Sequence, residues 1–172
     1  DAQGNTVVGG TTASFSNFPF TRGAAQENAG GGGLDGFVAK LNPTATSLLY
    51  ATFVGGSGID SIFSLALDSQ GAAYVTGQTT STAAFPVTDG SAQTRYGGNV
   101  ANAPTRLGDA FVVKVNPAGS RFDYGTYLGG SGDDAGFSIA VDGQGNAHIA
   151  GTTNSANFPT TSSAQIGRAS CR

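Results

Sequence analysis

The chain has 172 residues, of which 28 are Gly and only 11% are charged, with a formal net charge of −3. Low charge with 11 Phe and 5 Tyr excludes a disordered polyelectrolyte. The eight Lys and Arg residues form no stripe and no apolar stretch approaches about 18 residues, so we expect no nucleic-acid partner and no membrane span in this chain. Abundant Gly, Ser and Thr without a helical period favours short strands and tight turns.

The chain opens on a motif of the form Asp-x-x-Gly that returns twice, at 1–4, 68–71 and 142–145. Asp suits the first position of a hairpin turn, and Gly takes the left-handed conformation before the return strand. We therefore interpret four residues as structural turn residues rather than as a site: Asp68, Gly71, Asp142 and Gly145.

Longer stretches also repeat along the chain. Residues 35–43 return as 109–117, an offset of 109 − 35 = 74. At the same offset a Gly-Gly-Ser-Gly run recurs and is followed each time by an aspartate. The repeated residues of this second motif are Gly55, Gly56, Gly58 and Asp60, then Gly129, Gly130, Gly132 and Asp134.

Each repeat predicts four strands, which in the complete copy are 61–68, 72–79, 109–116 and 121–128. The first alternates apolar and polar residues, as expected of a strand with one buried face. Strands with apolar residues on both faces indicate sheets packed between other sheets. The fold class is therefore all-β, with four-stranded antiparallel sheets repeated radially as in a propeller.

The patterns Asp-x-Phe-Val-x-Lys-x-Asn-Pro, Gly-Gly-Ser-Gly-x-Asp and Asp-x-x-Gly-x-x-Tyr-Val-Thr-Gly resemble the bacterial SBBP β-propeller repeat, a relative in form of NHL-type propellers. The resemblance covers nearly all of 1–165 except the long connections. It implies a toroidal propeller in secreted or cell-surface bacterial proteins. It implies no catalytic residues.

By analogy with NHL-type blades, strand 61–68 is innermost, which makes this a partial propeller with one complete and two incomplete blades. The predicted boundaries are 1–60 for incomplete blade 1, 61–134 for complete blade 2 and 135–165 for incomplete blade 3. Because the chain begins at Asp1 rather than Met, we expect a gene fragment whose natural N-terminus lies upstream.

The segment 166–172 is interpreted as a non-native tail. Its seven residues translate a nucleotide string that resembles a sequencing adapter, so we exclude it from fold reasoning. Cys171, the single Cys, then carries no redox information. Without Arg168 and Arg172 the net charge becomes 6 − 11 = −5.

The Gly-Gly-Ser-Gly-x-Asp runs fit the start of a calcium-binding nonapeptide, which makes Asp60 and Asp134 calcium candidates. Calcium needs six to eight oxygens, and here the next copy lies 74 residues away. We therefore favour loops between blades that need glycine conformations, with the aspartates bonding backbone amides. No other metal, cofactor or catalytic residue is expected.

Lys40 and Lys114 occupy equivalent strand positions, and we expect solvated or paired side chains rather than a ligand-binding ladder. His148 is the only His, so a catalytic triad lacks its parts. We expect a packed or surface strand residue at that position.

The connections 13–34 and 80–108 run 22 and 29 residues, longer than ordinary loops. Long exposed loops are often functional, so we expect these two to contact a protein or glycan. The resulting hypothesis is a non-catalytic scaffold on a secreted or cell-surface bacterial protein. The alternative is the propeller segment of an extracellular enzyme, such as a hydrolase, whose catalytic residues lie outside this chain; a neighbouring catalytic domain would favour it.

Overall fold

The computed structural model describes residues 1–98 and 108–162, and within them the secondary structure is entirely β. The segment 166–172, which we interpret as a non-native tail, and part of the second long connection lie outside the described residues. The strands are β1 (Thr6–Thr12), β2 (Asp35–Leu41), β3 (Leu48–Val54), β4 (Asp60–Leu67), β5 (Ala73–Thr79), β6 (Asp109–Val115), β7 (Phe122–Leu128), β8 (Asp134–Val141) and β9 (Ala147–Thr153).

The strands form three antiparallel sheets, β1-β2-β3, β4-β5-β6-β7 and β8-β9. This confirms the predicted all-β partial propeller, with one complete four-stranded sheet between two incomplete ones. The second sheet begins at Asp60, one residue before the boundary predicted for blade 2. The blade boundaries themselves stay a prediction.

Each sheet has two ends that carry different loops. We call the end with residues 55–59 and 129–133 the loop end, because these segments lead into the first strands of the second and third sheets. The opposite end, where 68–72 and 142–146 join the first strand to the second, is the turn end.

Two apolar layers hold the three sheets together. Between the first and second sheets, Val38 and Tyr50 pack with Val75, Phe111 and other buried residues. Between the second and third sheets, the layer consists of Ala72, Tyr74, Val112 and Ile139, with partly buried neighbours. Burying one Val or Phe side chain contributes about 1.5–3 kcal/mol, so these layers are the main source of stability.

The long connections cover the outer strand of their own sheets. In the second sheet the amide of Thr88 donates to the carbonyl of Gly125 at 3.0 Å, and the amide of Tyr127 donates to Gln93 at 3.1 Å. Phe85 packs on Phe111 and Tyr127, with ring centroids 5.1 Å apart in each pair. Covering β7 in this way satisfies backbone groups that an open sheet edge would leave unpaired.

The first connection repeats this arrangement on β3. The amide of Thr21 donates to the carbonyl of Ala51 at 3.0 Å, and the amide of Phe53 donates to Gln26 at 3.0 Å. Phe18 packs on Phe37 and on Phe53 at 5.0 and 4.9 Å between centroids. The described parts of both connections are therefore built into the sheets, and a contact with a protein or glycan through them stays a prediction.

Candidate functional site

Three equivalent turns lie at the turn end. In each, one carboxylate oxygen of the leading aspartate accepts the amides of the residues two and four positions later, at 2.8 to 3.0 Å. Gly71 and Gly145 have φ values of +84° and +83°, the left-handed conformation that such a turn requires. Gly71 and Gly145, together with Asp68 and Asp142, thus shape the turns through backbone conformation and backbone hydrogen bonds.

The aspartate of the second turn also holds side chains of its own sheet. Lys114 Nζ lies 3.2 Å from Asp68 Oδ2 and 4.7 Å from the centre of the Tyr74 ring. Burial opposes ionisation of Asp68, but the amide of Ala72 and the ammonium of Lys114 outweigh it and lower the pKa of that carboxyl. Lys40 makes the same contact in the first sheet, 2.7 Å from Asp1, so both lysines are paired.

Tyr74 links this group to the next sheet. Its hydroxyl lies 3.3 Å from Asp68 Oδ2 and 3.2 Å from the carbonyl oxygen of Gly145, and these two acceptors share its single hydrogen. The turn of the third sheet therefore sits against the ion pair of the second.

In the third sheet His148 occupies the position of Tyr74. It lies on the exposed side of β9, with Nε2 3.2 Å from Asp142 Oδ2. The amide group and backbone N–H of Asn146, followed by this imidazole, lower the pKa of Asp142.

A polar groove of about 180 Å³ lies between the second and third turns. The exposed side chains of Ser69, Gln70 and Gln144 line it together with Lys114 and Tyr74. Lys114 pairs with Asp68, and both oxygens of Asp142, the other charged residue of the lining, already accept hydrogen bonds from Gln144 and Asn146. The groove therefore offers mainly amide and hydroxyl groups. Such a surface can both donate and accept hydrogen bonds.

At the loop end the glycine runs serve close packing. Glycine conformations were predicted there, but none of these glycines has a positive φ, so the physical reason was wrong. A Cβ at these positions would instead overlap a neighbouring segment of the same chain, for example the backbone of Thr80 or Asn154. The glycines concerned are Gly55, Gly56, Gly58, Gly129, Gly130 and Gly132.

The calcium candidates Asp60 and Asp134 are fully buried behind these runs. Asp60 accepts the amide of Gly56 at 2.7 Å and the hydroxyls of Thr79 and Ser81. Asp134 accepts the amide of Gly130 at 2.8 Å and a serine hydroxyl at 2.6 Å. Both carboxylates therefore bond the loops beside them.

Two further aspartates, which were not predicted as site residues, face these two. Asp35 and Asp109 are the first residues of β2 and β6 and have no exposed surface. Burial raises the pKa of each to about 6. Repulsion from Asp60 or Asp134 adds to this rise, whereas hydrogen bonds from glycine amides lower the pKa. Each junction between sheets therefore contains a pair of buried carboxyl groups.

No group of three or more His, Cys, Asp or Glu side chains among residues 1–98 and 108–162 is placed to hold a metal ion. A pair of carboxylates alone offers too few oxygens for calcium, which takes six to eight. The same part of the chain contains no helix able to cross a membrane.

Gln26 and Gln93 are structural residues that the repeat offset missed. Each side chain accepts the amide of the first glycine in its run, Gly55 at 3.2 Å or Gly129 at 3.0 Å. Their offset is 93 − 26 = 67 because the second connection is longer. Aligning the connections on their shared Phe-Pro dipeptide, at Phe18 and Phe85, would have found them.

The stacked sheets, the repeated turns and the glycine runs define a partial β-propeller. In agreement, the family model described as the SBBP beta-propeller repeat matches residues 123–159. The matched segment runs from β7 through β9, across the junction between the second and third sheets. No curated protein matches the chain.

Proposed function

We propose that the chain is a non-catalytic repeat scaffold of a secreted or cell-surface bacterial protein, and that its turn end binds a glycan. The observation that carries the binding proposal is the polar groove between two equivalent turns. The location rests on the resemblance of the repeat to its family. A signal peptide in the full reading frame would support the location.

The chemistry of the groove favours a neutral, hydroxyl-rich ligand. Gln70 and Gln144 are exposed, and each amide offers two donor hydrogens and an acceptor oxygen. Sugar hydroxyls also donate and accept, so they match such amides. The ion pair of Lys114 with Asp68 leaves the carboxylate of Asp142 as the unbalanced charge of the groove lining, which disfavours an anionic ligand.

The groove is also held in place before a ligand arrives. Backbone amides fix both leading aspartates, and the Tyr74 hydroxyl ties one turn to the other. Because little ordering remains to be done on binding, more of the interaction energy is available for affinity.

The test uses the full chain on an array of neutral oligosaccharides, followed by titration calorimetry with the strongest ligand. Gln70→Ala with Gln144→Ala should weaken binding about tenfold, since each lost hydrogen bond is worth roughly 0.5–1.5 kcal/mol. Gln3→Ala is the matched control, because Gln3 is exposed at the same turn position but does not line the groove. Absence of any oligosaccharide binding, or an equal loss with Gln3→Ala, would contradict the proposal.

A further inference from the structure

The carboxyl pair between the first and second sheets has an uneven set of hydrogen-bond donors. Asp60 accepts a backbone amide and two hydroxyl groups, so both of its oxygens are satisfied. Asp35 accepts the amide of Gly30 through Oδ2 at 2.8 Å, whereas its buried Oδ1 has no partner. A buried acceptor without a donor costs about 1–3 kcal/mol, which calls for an explanation.

The free oxygen points toward the other carboxyl group. A Cβ built on Gly55 would overlap Asp35 Oδ1 and would lie 3.0 Å from Asp60 Oδ2, so both side chains converge on one point above this glycine. Two carboxylates this close cannot both ionise without strong repulsion.

The junction between the second and third sheets repeats the arrangement. Asp109 Oδ2 accepts the amide of Gly97 at 2.7 Å, and Asp134 Oδ2 accepts the amide of Gly130 at 2.8 Å. Oδ1 of each aspartate is buried without a partner. Gly129 lies against the first of these two side chains, with a built Cβ 2.7 Å from Asp109 Oδ1.

We propose that each pair shares one proton, Asp35 with Asp60 and Asp109 with Asp134, and that losing this proton loosens the contact between neighbouring sheets. The proton lies on Oδ1 of Asp35 or Asp109 and is donated to the facing carboxylate. It supplies the missing donor and removes one of two buried charges. On deprotonation the proton passes to water and leaves two carboxylates facing each other.

The charged environment agrees with a shared proton. Asp60, on β4, is the charged group that faces Asp35, and Asp134, on β8, is the one that faces Asp109. Tyr127, on β7, lies near Asp60 and Asp109, but burial and both carboxyls raise its pKa, so it stays neutral and offers no counter-charge.

The pH range follows from the raised pKa values of about 6 for Asp35 and Asp109, against 3.8 for an ordinary Asp. Between these values the folded chain holds more protons than the unfolded chain, so stability falls as pH rises. Each pair should lower the folding equilibrium constant about 100-fold across this window, because one pKa unit corresponds to a tenfold change.

The test measures urea unfolding of the full chain from pH 4.5 to 8 in EDTA. Stability should fall up to about pH 6.5 and then level off. In Asp35→Asn with Asp109→Asn, an amide N–H replaces the shared O–H, so the dependence should flatten and the variant should exceed the native chain at pH 7.5. Asp89→Asn removes an exposed carboxylate and should leave the slope unchanged.

A second measurement does not depend on the variants. Carboxyl carbon titration by NMR in the native chain should show two aspartates with midpoints near pH 6. If all buried aspartates titrate below pH 4.5, the proposal is wrong. It is equally wrong if calcium chloride at pH 7.5 raises the unfolding midpoint of the native chain but not of the double variant, because a cation would then hold the pairs.

Discussion

Tyr74 shows how one side chain can join two sheets. Its hydroxyl reaches Asp68 in its own sheet and the carbonyl of Gly145 in the next. The ring is almost completely buried and belongs to the apolar layer between these sheets. The residue therefore contributes both packing and a hydrogen bond to the same junction.

We expect Tyr74→Phe to lower the free energy of unfolding by about 0.5–1.5 kcal/mol, because it removes a hydrogen bond and keeps the ring. Urea unfolding at pH 7 measures the change. Tyr50→Phe is the control, since the Tyr50 hydroxyl is buried without a partner and its removal should cost nothing. Equal losses in the two variants would contradict the role given to the Tyr74 hydroxyl.

For individual residues, the sequence predicts hydrogen bonds between near neighbours in the chain better than contacts between distant segments. The turn at Asp68–Gly71 follows from four consecutive residues, and its bonds form among them and the next residue, Ala72. The glycine at position 58 is explained by the backbone of Thr80, and the pairing of Asp35 with Asp60 depends on how two sheets stack. Such contacts depend on the packing of segments far apart in the chain.

The connections are elements of the fold as much as the strands are. Gln93 bonds the amide of Gly129, the carbonyl of Arg95 at 2.8 Å and a carboxylate oxygen of Asp109 at 3.2 Å. One half-buried side chain thereby joins the connection, the glycine run and the start of β6.

We expect Gln93→Ala to destabilise the protein by about 1–3 kcal/mol, because buried partners lose their bonds together. Gln26→Ala should cost a similar amount in the first sheet, where two of the three bonds recur and the side-chain amide donates to the carbonyl of Gly55 instead of an aspartate. Gln144→Ala, at an exposed turn position, serves as the control and should change stability by less than about 0.5 kcal/mol. Chemical unfolding compares the three, and a Gln93 variant as stable as the control would contradict this role.

The strands were predictable because the alternation of apolar and polar residues is visible locally and the motifs recur at a constant offset of 74 residues. The connections were not, because their lengths differ and shift the register between copies. The length of the connections suggested recognition loops. The structure adds that Thr21 and Thr88, one in each connection, hydrogen-bond to the outer strands. A covered edge cannot be inferred from composition, since it depends on where the segment returns.

At the scale of the whole molecule, consecutive sheets stack face to face with their first strands adjacent. Phe63 of β4 and Phe137 of β8 occupy equivalent positions where the strand register shifts. Their rings stack with centroids 5.5 Å apart and an interplanar angle of 18°. The two residues are 74 positions apart in sequence, so only the stacking of sheets brings them together.

The most direct test is a nuclear Overhauser measurement on the full chain with labelled Phe residues. Cross-peaks between the ring protons of Phe63 and Phe137 are expected, and Phe63→Leu should remove them while leaving the contact of Phe85 with Phe111. Signals within each sheet but none between Phe63 and Phe137 would show that the sheets form without stacking, and would contradict the propeller arrangement.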